Sequence, residues 1–226
     1  MDFEAVVAEM QAEWQRELEQ RASTAGLSVE ELERLEAERR RSEDRAKERE
    51  TFLHRFEGLE PPEVLGAIFD YTMKRTIAVQ AVDRWLSARK PALLLFGSRG
   101  TGKTVASLYA LRRMGRGALV RAHELAERIA PTAEERRYGV RQVSLSSELI
   151  AIEDVGTERS DDRSRAALFL MVDSRQTPRR RTIITTNLTR AQFIERCDDR
   201  VIDRLRHTAA AVDLGGESLR SNGAGL

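Results

Sequence analysis

A chain of 226 residues has room for one α/β domain and a modest appendage, with enough length to bury a sizeable core. Its charged fraction of 33% is high but nearly balanced, the single Cys197 excludes an internal disulfide and a cysteine-built zinc site, and His54, His123 and His207 stand singly rather than grouped as ligands. With no secretory segment and no long apolar run, a soluble, cytoplasmic protein without a membrane partner is expected.

The charge is unevenly divided. Residues 1–57 carry 10 Lys+Arg against 16 Asp+Glu, and residues 58–226 carry 28 against 21, so an acidic arm precedes a basic domain. In the arm, Phe3, Val7, Met10, Trp14 and Leu18 recur at alternating spacings of four and three, which predicts a helix with one apolar seam. Gly26 ends that pattern, and Ser28-Val29-Glu30-Glu31 reads as a capping box opening a second helix with Leu32 and Leu35. Such a hairpin either buries its own seam or offers it, with Trp14 as the largest anchor, to another protein. From Glu36 to Glu50 only Ala37 and Ala46 are apolar, the mark of a solvated helix or spacer. Phe52, Leu53 and Phe56 return to packed structure, and Gly58 with Pro61-Pro62 punctuates the boundary between a 1–57 arm and a 58–226 domain.

Within the domain, Val64, Leu65, Ile68 and Tyr71, then Val79, Val82, Trp85 and Leu86, predict two helices or one broken helix packed on a sheet. The buried-strand run Ala92 to Phe96 leads directly into Gly97-Ser98-Arg99-Gly100-Thr101-Gly102-Lys103-Thr104 and then a helical pattern, a complete P-loop in its proper context. Glycines at that spacing let successive backbone N–H groups turn inward on phosphate oxygens, and the following helix presents its positive end to them. Lys103 is placed for the β and γ phosphates and Thr104 for Mg²⁺. Ala118-Leu119-Val120 reads as a second strand and His123 to Ile129 as a helix. Pro131 to Gln142, with Arg136, Arg137 and Arg141, is either plain surface or a basic edge for nucleic acid.

Three later constellations bear on chemistry. Leu149-Ile150-Ala151-Ile152-Glu153-Asp154 is an apolar strand ending in adjacent carboxylates, the pattern of a Walker B strand in which one acid serves Mg²⁺ and its neighbour orients the attacking water. After a helix from Ala166 to Val172 and the basic turn Pro178 to Arg181, Thr182-Ile183-Ile184-Thr185-Thr186-Asn187 is a strand ending in a polar amide. Beside the P-loop strand, Asn187 would lie near the γ-phosphate; taken alone, it is equally a helix cap. In Asp199 to Arg206, Arg200 and Arg204 share a helix face, either as solvated charges paired with Asp199 and Asp203 or with one of them as an arginine finger. Ala209 to Leu214 is a candidate edge strand.

With these motifs in this order, the stretch from about Phe56 to Arg220 resembles the DnaC/IstB-like branch of the AAA+ ATPases, through GSRGTGKT, LIAIEDVG, TIITTNL, RVIDRLR and the closing Gly216-Glu217-Ser218-Leu219-Arg220. The resemblance implies a P-loop α/β core with a parallel sheet flanked by helices and no large helical lid, here preceded by the helical arm. It implies ATP and Mg²⁺ as ligands, Asn187 as sensor 1, and Arg204 as a finger acting on a neighbouring subunit, hence an ATP-dependent homo-oligomer. Two departures stand out. The family usually has Asp first at the Walker B position, where this chain has Glu153 then Asp154, so weak intrinsic ATPase activity is expected; and the resemblance ends near Phe56, leaving the arm unmatched.

The reading that follows is an ATP-dependent, DNA-binding loader of a replicative helicase, favouring single-stranded DNA, with the arm docking on the helicase. The alternative is a transposition helper that binds duplex DNA and addresses a transposase. A small-molecule kinase is a minor third reading, because it leaves Asn187 and Arg204 without a role. DNA-contact candidates are Arg112, Arg113, Arg116, Arg136, Arg137 and Arg179 to Arg181, acting through phosphates without base specificity.

Overall fold

The computed structural model describes residues 3–127, 147–156, 162–176, 180–215 and 218–219. The basic stretch Pro131 to Gln142, and with it Arg136, Arg137 and Arg141, lies outside the described residues, as do Arg179, Gly216, Glu217 and Arg220. The chain divides into two compact units, Met1–Glu57 and Gly58–Leu226.

The first unit is a helical hairpin. Helix α1 (Phe3–Ala25) turns at Gly26, whose φ of 69° lies in the left-handed region, and helix α2 (Val29–Arg55) opens on the capping box of Ser28 and Glu31. The apolar seam is divided: Leu18 and Ala22 are buried, whereas Met10 and Trp14 are 66% and 56% exposed. An ion pair between Arg21 and Glu36 crosses the hairpin. α2 buries no residue and decorates its surface with i,i+4 pairs such as Arg34 with Glu38 and Arg39 with Glu43, as the polar run predicts.

The second unit is a five-stranded parallel sheet in the order β2-β3-β4-β1-β5, with β1 Ala92–Phe96, β2 Gly117–Arg121, β3 Leu149–Glu153, β4 Arg181–Thr186 and β5 Ala209–Asp213. Every residue of β1 and β3 is buried, which is why both read as uninterrupted apolar runs. Ala92, Leu94, Phe96, Ile150, Ile152 and Ile184 share one core with α6 (Ala122–Glu127), α7 (Asp162–Gln176), α8 (Arg190–Arg196) and α9 (Asp199–Thr208). Leu93, Leu95, Ala151 and Ile183 alternate with them toward the face held by α3 (Pro62–Phe69), α4 (Ile77–Ser87) and α5 (Lys103–Met114).

α3 and α4 are two separate helices, parted by Tyr71 at φ 59° and reopened by Thr76, whose hydroxyl accepts from the Val79 N–H. Tyr71 does not join the core as its spacing suggests: it is exposed, its ring edge-on to Tyr109 and within reach of the Arg112 guanidinium. Several arginines proposed for DNA are already engaged. Arg112 stacks 4.0 Å from the Phe69 ring centre, and Arg113 bonds the Tyr109 hydroxyl. Arg181 donates to Trp85 O and Ala88 O, closing the carboxyl end of α4, and lies over the Trp85 ring. Arg175, 1% exposed, reaches Ser147 O, Glu148 O and Arg181 O and so ties β3 to β4; burial, and then the charge of Arg180, lowers its pKa to about 10.

Candidate nucleotide site

The site follows from register. Phe96 pairs with Thr186, so the loop after β1 and the amide after β4 emerge side by side at the carboxyl ends of the strands, and Gly97 donates its N–H to Thr186 O. The loop reaches the start of α5 through Gly100 and Gly102, both at φ 84°, a conformation a side chain rarely adopts. This aims backbone donors inward at the positive end of a 12-residue helix, a fit for a phosphate chain. Lys103 is buried; its ammonium donates to Gly97 O and Ser98 O at 2.8 Å each and to Asn187 Oδ1 at 2.9 Å.

Asn187 is free for that task because the cap of α8 is Thr189, which forms a capping box with Gln192. Its amide also approaches Asp154, Nδ2 donating to Oδ1 at 3.5 Å. A single side chain therefore spans the P-loop lysine and the second acid.

The two acids have different surroundings. Glu153 is 3% exposed, and Oε2 accepts from Thr104 Oγ1 at 3.2 Å. Its Oε1 is buried without a well-formed hydrogen bond, as is the Ser107 hydroxyl. Burial drives the Glu153 pKa up to about 7; the Ser107 and Thr104 hydroxyls oppose that shift, and the Asp154 and Glu60 carboxylates add to it. Asp154 instead lines the open cavity, on a backbone at φ 57°. That turn is held from β4: Thr185 Oγ1 accepts the Asp154 N–H, Thr185 O accepts the Val155 N–H, and Thr186 Oγ1 donates to Val155 O at 2.6 Å. Reading the sequence missed this role of Thr185 and Thr186, whose signal is the threonine pair directly before Asn187.

The cavity is about 390 Å³. Arg99, Gly100, Gly102, Lys103, Thr104, Asp154 and Asn187 line one part, and Glu60, Val64, Val105 and Leu219 the rest. Glu60, Val64 and Leu219 were not anticipated as site residues. The residues present fit an ATP phosphate chain with Mg²⁺: the Glu153 carboxylate and the Thr104 hydroxyl that donates to its Oε2 are hard oxygens at the start of α5, and Oε1 makes no well-formed hydrogen bond of its own. Among the described residues no group of three or more His, Cys, Asp or Glu could hold a metal ion.

Arg204 is not among the cavity's lining residues. It lies on α9, half-exposed, with its guanidinium 2.9 Å from Asp173 of α7. Arg200 pairs with Asp198 and stacks 4.5 Å from the Phe169 ring centre, so neither arginine takes the neighbouring Asp199 or Asp203 as partner in the described ion pairs.

A parallel sheet with a P-loop after an interior strand, paired acids ending β3 and a polar amide ending the adjacent β4 defines a P-loop ATP-binding domain of the AAA+ class. The chain belongs to the family described as IstB-like ATP binding protein, whose sequence model matches residues 5–224. That match runs through the arm, well before Phe56, where the likeness carried by the motifs begins. A protein of Sinorhizobium fredii (strain NBRC 101917 / NGR234), named as an insertion sequence ATP-binding protein, y4pL, is 33% identical over 108 residues, 45% of this chain and 44% of that one. The chain thus matches under half the length of this curated relative.

Among solved structures, the DnaC helicase loader aligns with a TM-score of 0.53 at 18% identity over 69% of this chain and 100% of that one. DnaI aligns at 0.51 and 20% over 70% and 93%, and the replication initiator DnaA bound to AMPPCP and single-stranded DNA at 0.52 and 18% over 66% and 50%. These likenesses are of fold. No helix among the described residues is long and apolar enough to cross a membrane.

Proposed function

We propose that this protein is a DNA-associated ATPase that assists a transposase of an insertion sequence, binding duplex DNA as an ATP-dependent homo-oligomer. The observation that carries this reading is the extent of the family match, which takes in the arm as well as the ATP-binding domain, together with the insertion-sequence name of the relative. In this reading residues 1–57 form the partner-addressing arm, with exposed Met10 and Trp14 as its contact side chains.

The chain's own groups suggest the division of labour. Loop amides and Lys103 hold the phosphates, with the ammonium exchanging its present carbonyl partners for phosphate oxygens. Thr104 and Glu153 would hold Mg²⁺, which when bound neutralises charge on the β and γ phosphates. Asp154 and Asn187, side by side at the cavity, orient water, and Asp154 takes its proton. One methylene shorter than a glutamate, Asp154 reaches less far, so turnover without a partner is slow. Arg204 of a neighbouring copy completes the site, which accounts for its position outside its own cavity.

The second reading, a loader of a replicative helicase, draws on the likeness of fold to the DnaC loader. DNA form separates the two. With a non-hydrolysable ATP analogue, the transposition helper assembles preferentially on duplex DNA and retains a transposase added to it. Preference for single-stranded DNA with delivery of a replicative helicase would replace the first reading by the second.

A further inference from the structure

Helices α7 and α9 meet along one face of each. On α7 that face carries Phe169, Asp173 and Gln176, at helical spacings of four and three; on α9 it carries Arg200, Arg204 and Thr208, four apart. The contacts climb both helices together. Arg200 stacks over the Phe169 ring, Arg204 pairs with Asp173, and the Gln176 amide donates to Arg204 O at 3.0 Å and to Thr208 Oγ1 at 3.3 Å. Val172 and Leu205, from the same two helices, are buried in the shared core.

These contacts bear differently on Arg204. Its backbone is fixed without Asp173: Val201 and Leu205, on either side of it along α9, are buried, and its carbonyl accepts from Gln176 and, at 2.6 Å, from the Thr208 hydroxyl. The ion pair adds little to that. Its side chains are 47% and 41% exposed, a setting in which such a pair contributes little to folding. What Asp173 controls is the guanidinium, which its Oδ1 holds at 2.9 Å against α7 of the same copy. A guanidinium neutralised in this way cannot meet a phosphate of another copy with its full charge, and a carboxylate brought beside that phosphate would repel it.

We propose that Asp173 is a latch on the finger: it keeps Arg204 on its own subunit until the ATP-loaded site of a neighbour competes for the guanidinium. Asp173 is thus a positioning residue that acts through Arg204 and sets how readily one copy completes the site of the next. The inference rests on the reading of Arg204 as a finger acting on a neighbour, and adds to it a restraint located in the finger's own copy. Breaking the pair releases the withheld fraction of fingers, which for an exposed pair raises their effective affinity about two- to fivefold.

The full-length protein tests this with sites and fingers assigned to different copies. Arg204→Ala is the acceptor, with an intact P-loop and no finger; Lys103→Ala is the donor, with a finger and a P-loop that cannot hold phosphates. ATP turnover of the acceptor on duplex DNA is followed as donor is added. Asp173→Asn on the donor should lower the donor concentration for half-maximal activation about two- to fivefold and leave the acceptor's KM for ATP within about twofold, and Asp173→Glu should return the parent value. The same Asp173→Asn on the acceptor, where position 204 is alanine, should change nothing. An unchanged half-activation concentration with the Asp173→Asn donor would overturn the latch, and so would a higher one, which would make Asp173 a support of the finger's working position. An equal shift from acceptor and donor would assign Asp173 to helix packing and overturn the latch as well. If the parent donor fails to activate the acceptor at all, the finger reading falls and the latch with it, an outcome distinct from a failure at Asp173 alone.

Discussion

At the scale of single residues, the unequal environments of Glu153 and Asp154 carry the clearest consequences. A carboxylate that is 3% exposed and driven toward pKa 7 opposes folding whenever it is ionised and unaccompanied. Glu153→Gln keeps an acceptor for Thr104 and removes that charge, so at pH 8 without nucleotide or Mg²⁺ the variant should be more stable, by on the order of 1–3 kcal/mol in denaturant unfolding. The same variant should have no measurable ATP hydrolysis; stability equal to the parent would mean that Glu153 is already compensated. Thr185 acts one layer further out, its hydroxyl accepting the Asp154 N–H from a position 1% exposed. Thr185→Val preserves shape and leaves a buried donor unsatisfied, costing about 1–2 kcal/mol. Turnover should fall more than affinity for ATP, since Lys103 and the loop are untouched; an equal fall in both would place Thr185 in binding.

At the scale of elements, α9 begins on Asp198, whose carboxylate accepts from the Arg200 N–H and pairs with the Arg200 guanidinium. The side-chain bond to Arg200, then the backbone bond, lowers its pKa to about 2. The stability this supplies is complete above the ordinary aspartate pKa and is lost as pH falls from about 4 toward 2. Asp198→Asn, which can still cap, should flatten the acid limb of thermal stability over that window, and an unaltered limb would refute the pairing. The elements themselves were largely legible: β1 and β3 are buried on both faces and read as unbroken apolar runs, and the threonine-rich β4 ends in the amide that register sets beside Gly97. What escaped reading depends on contacts between distant residues. Arg181 looks like part of a basic turn and instead closes α4, because only the sheet brings Trp85 and Ala88 to it. Leu219 looks like the tail of a closing motif, and its place in the cavity appears only when the chain returns to Gly100. Glu153 and Asp154 are adjacent letters, yet the left-handed turn at Asp154 sends one into the core and the other to the cavity.

At the scale of the whole molecule, the two compact units invite separate assignments. The arm buries Leu18 and Ala22 but leaves Met10 and Trp14 exposed, so half of its seam remains for another surface. Deleting residues 1–57 should spare ATP binding by the remaining unit and abolish recruitment of the transposase in a co-sedimentation assay; recruitment that survives would reduce the arm to a spacer. The polar residues lining the candidate site come from the loop beyond β1, the first residues of α5, the turns after β3 and β4, and Glu60 ahead of α3, all within one copy, whereas Arg204 lies outside that lining.

Completion of each site by a neighbour's Arg204 is therefore the central claim, and mixing two inactive variants tests it most directly. Lys103→Ala cannot hold the phosphates but retains its finger, whereas Arg204→Ala holds the phosphates and lacks the finger. Each alone should turn over little ATP on duplex DNA, and an equimolar mixture should recover activity well above either, since some Lys103-bearing sites then face an intact Arg204. A mixture no more active than its components, or an Arg204→Ala protein as active as the parent, would contradict the account.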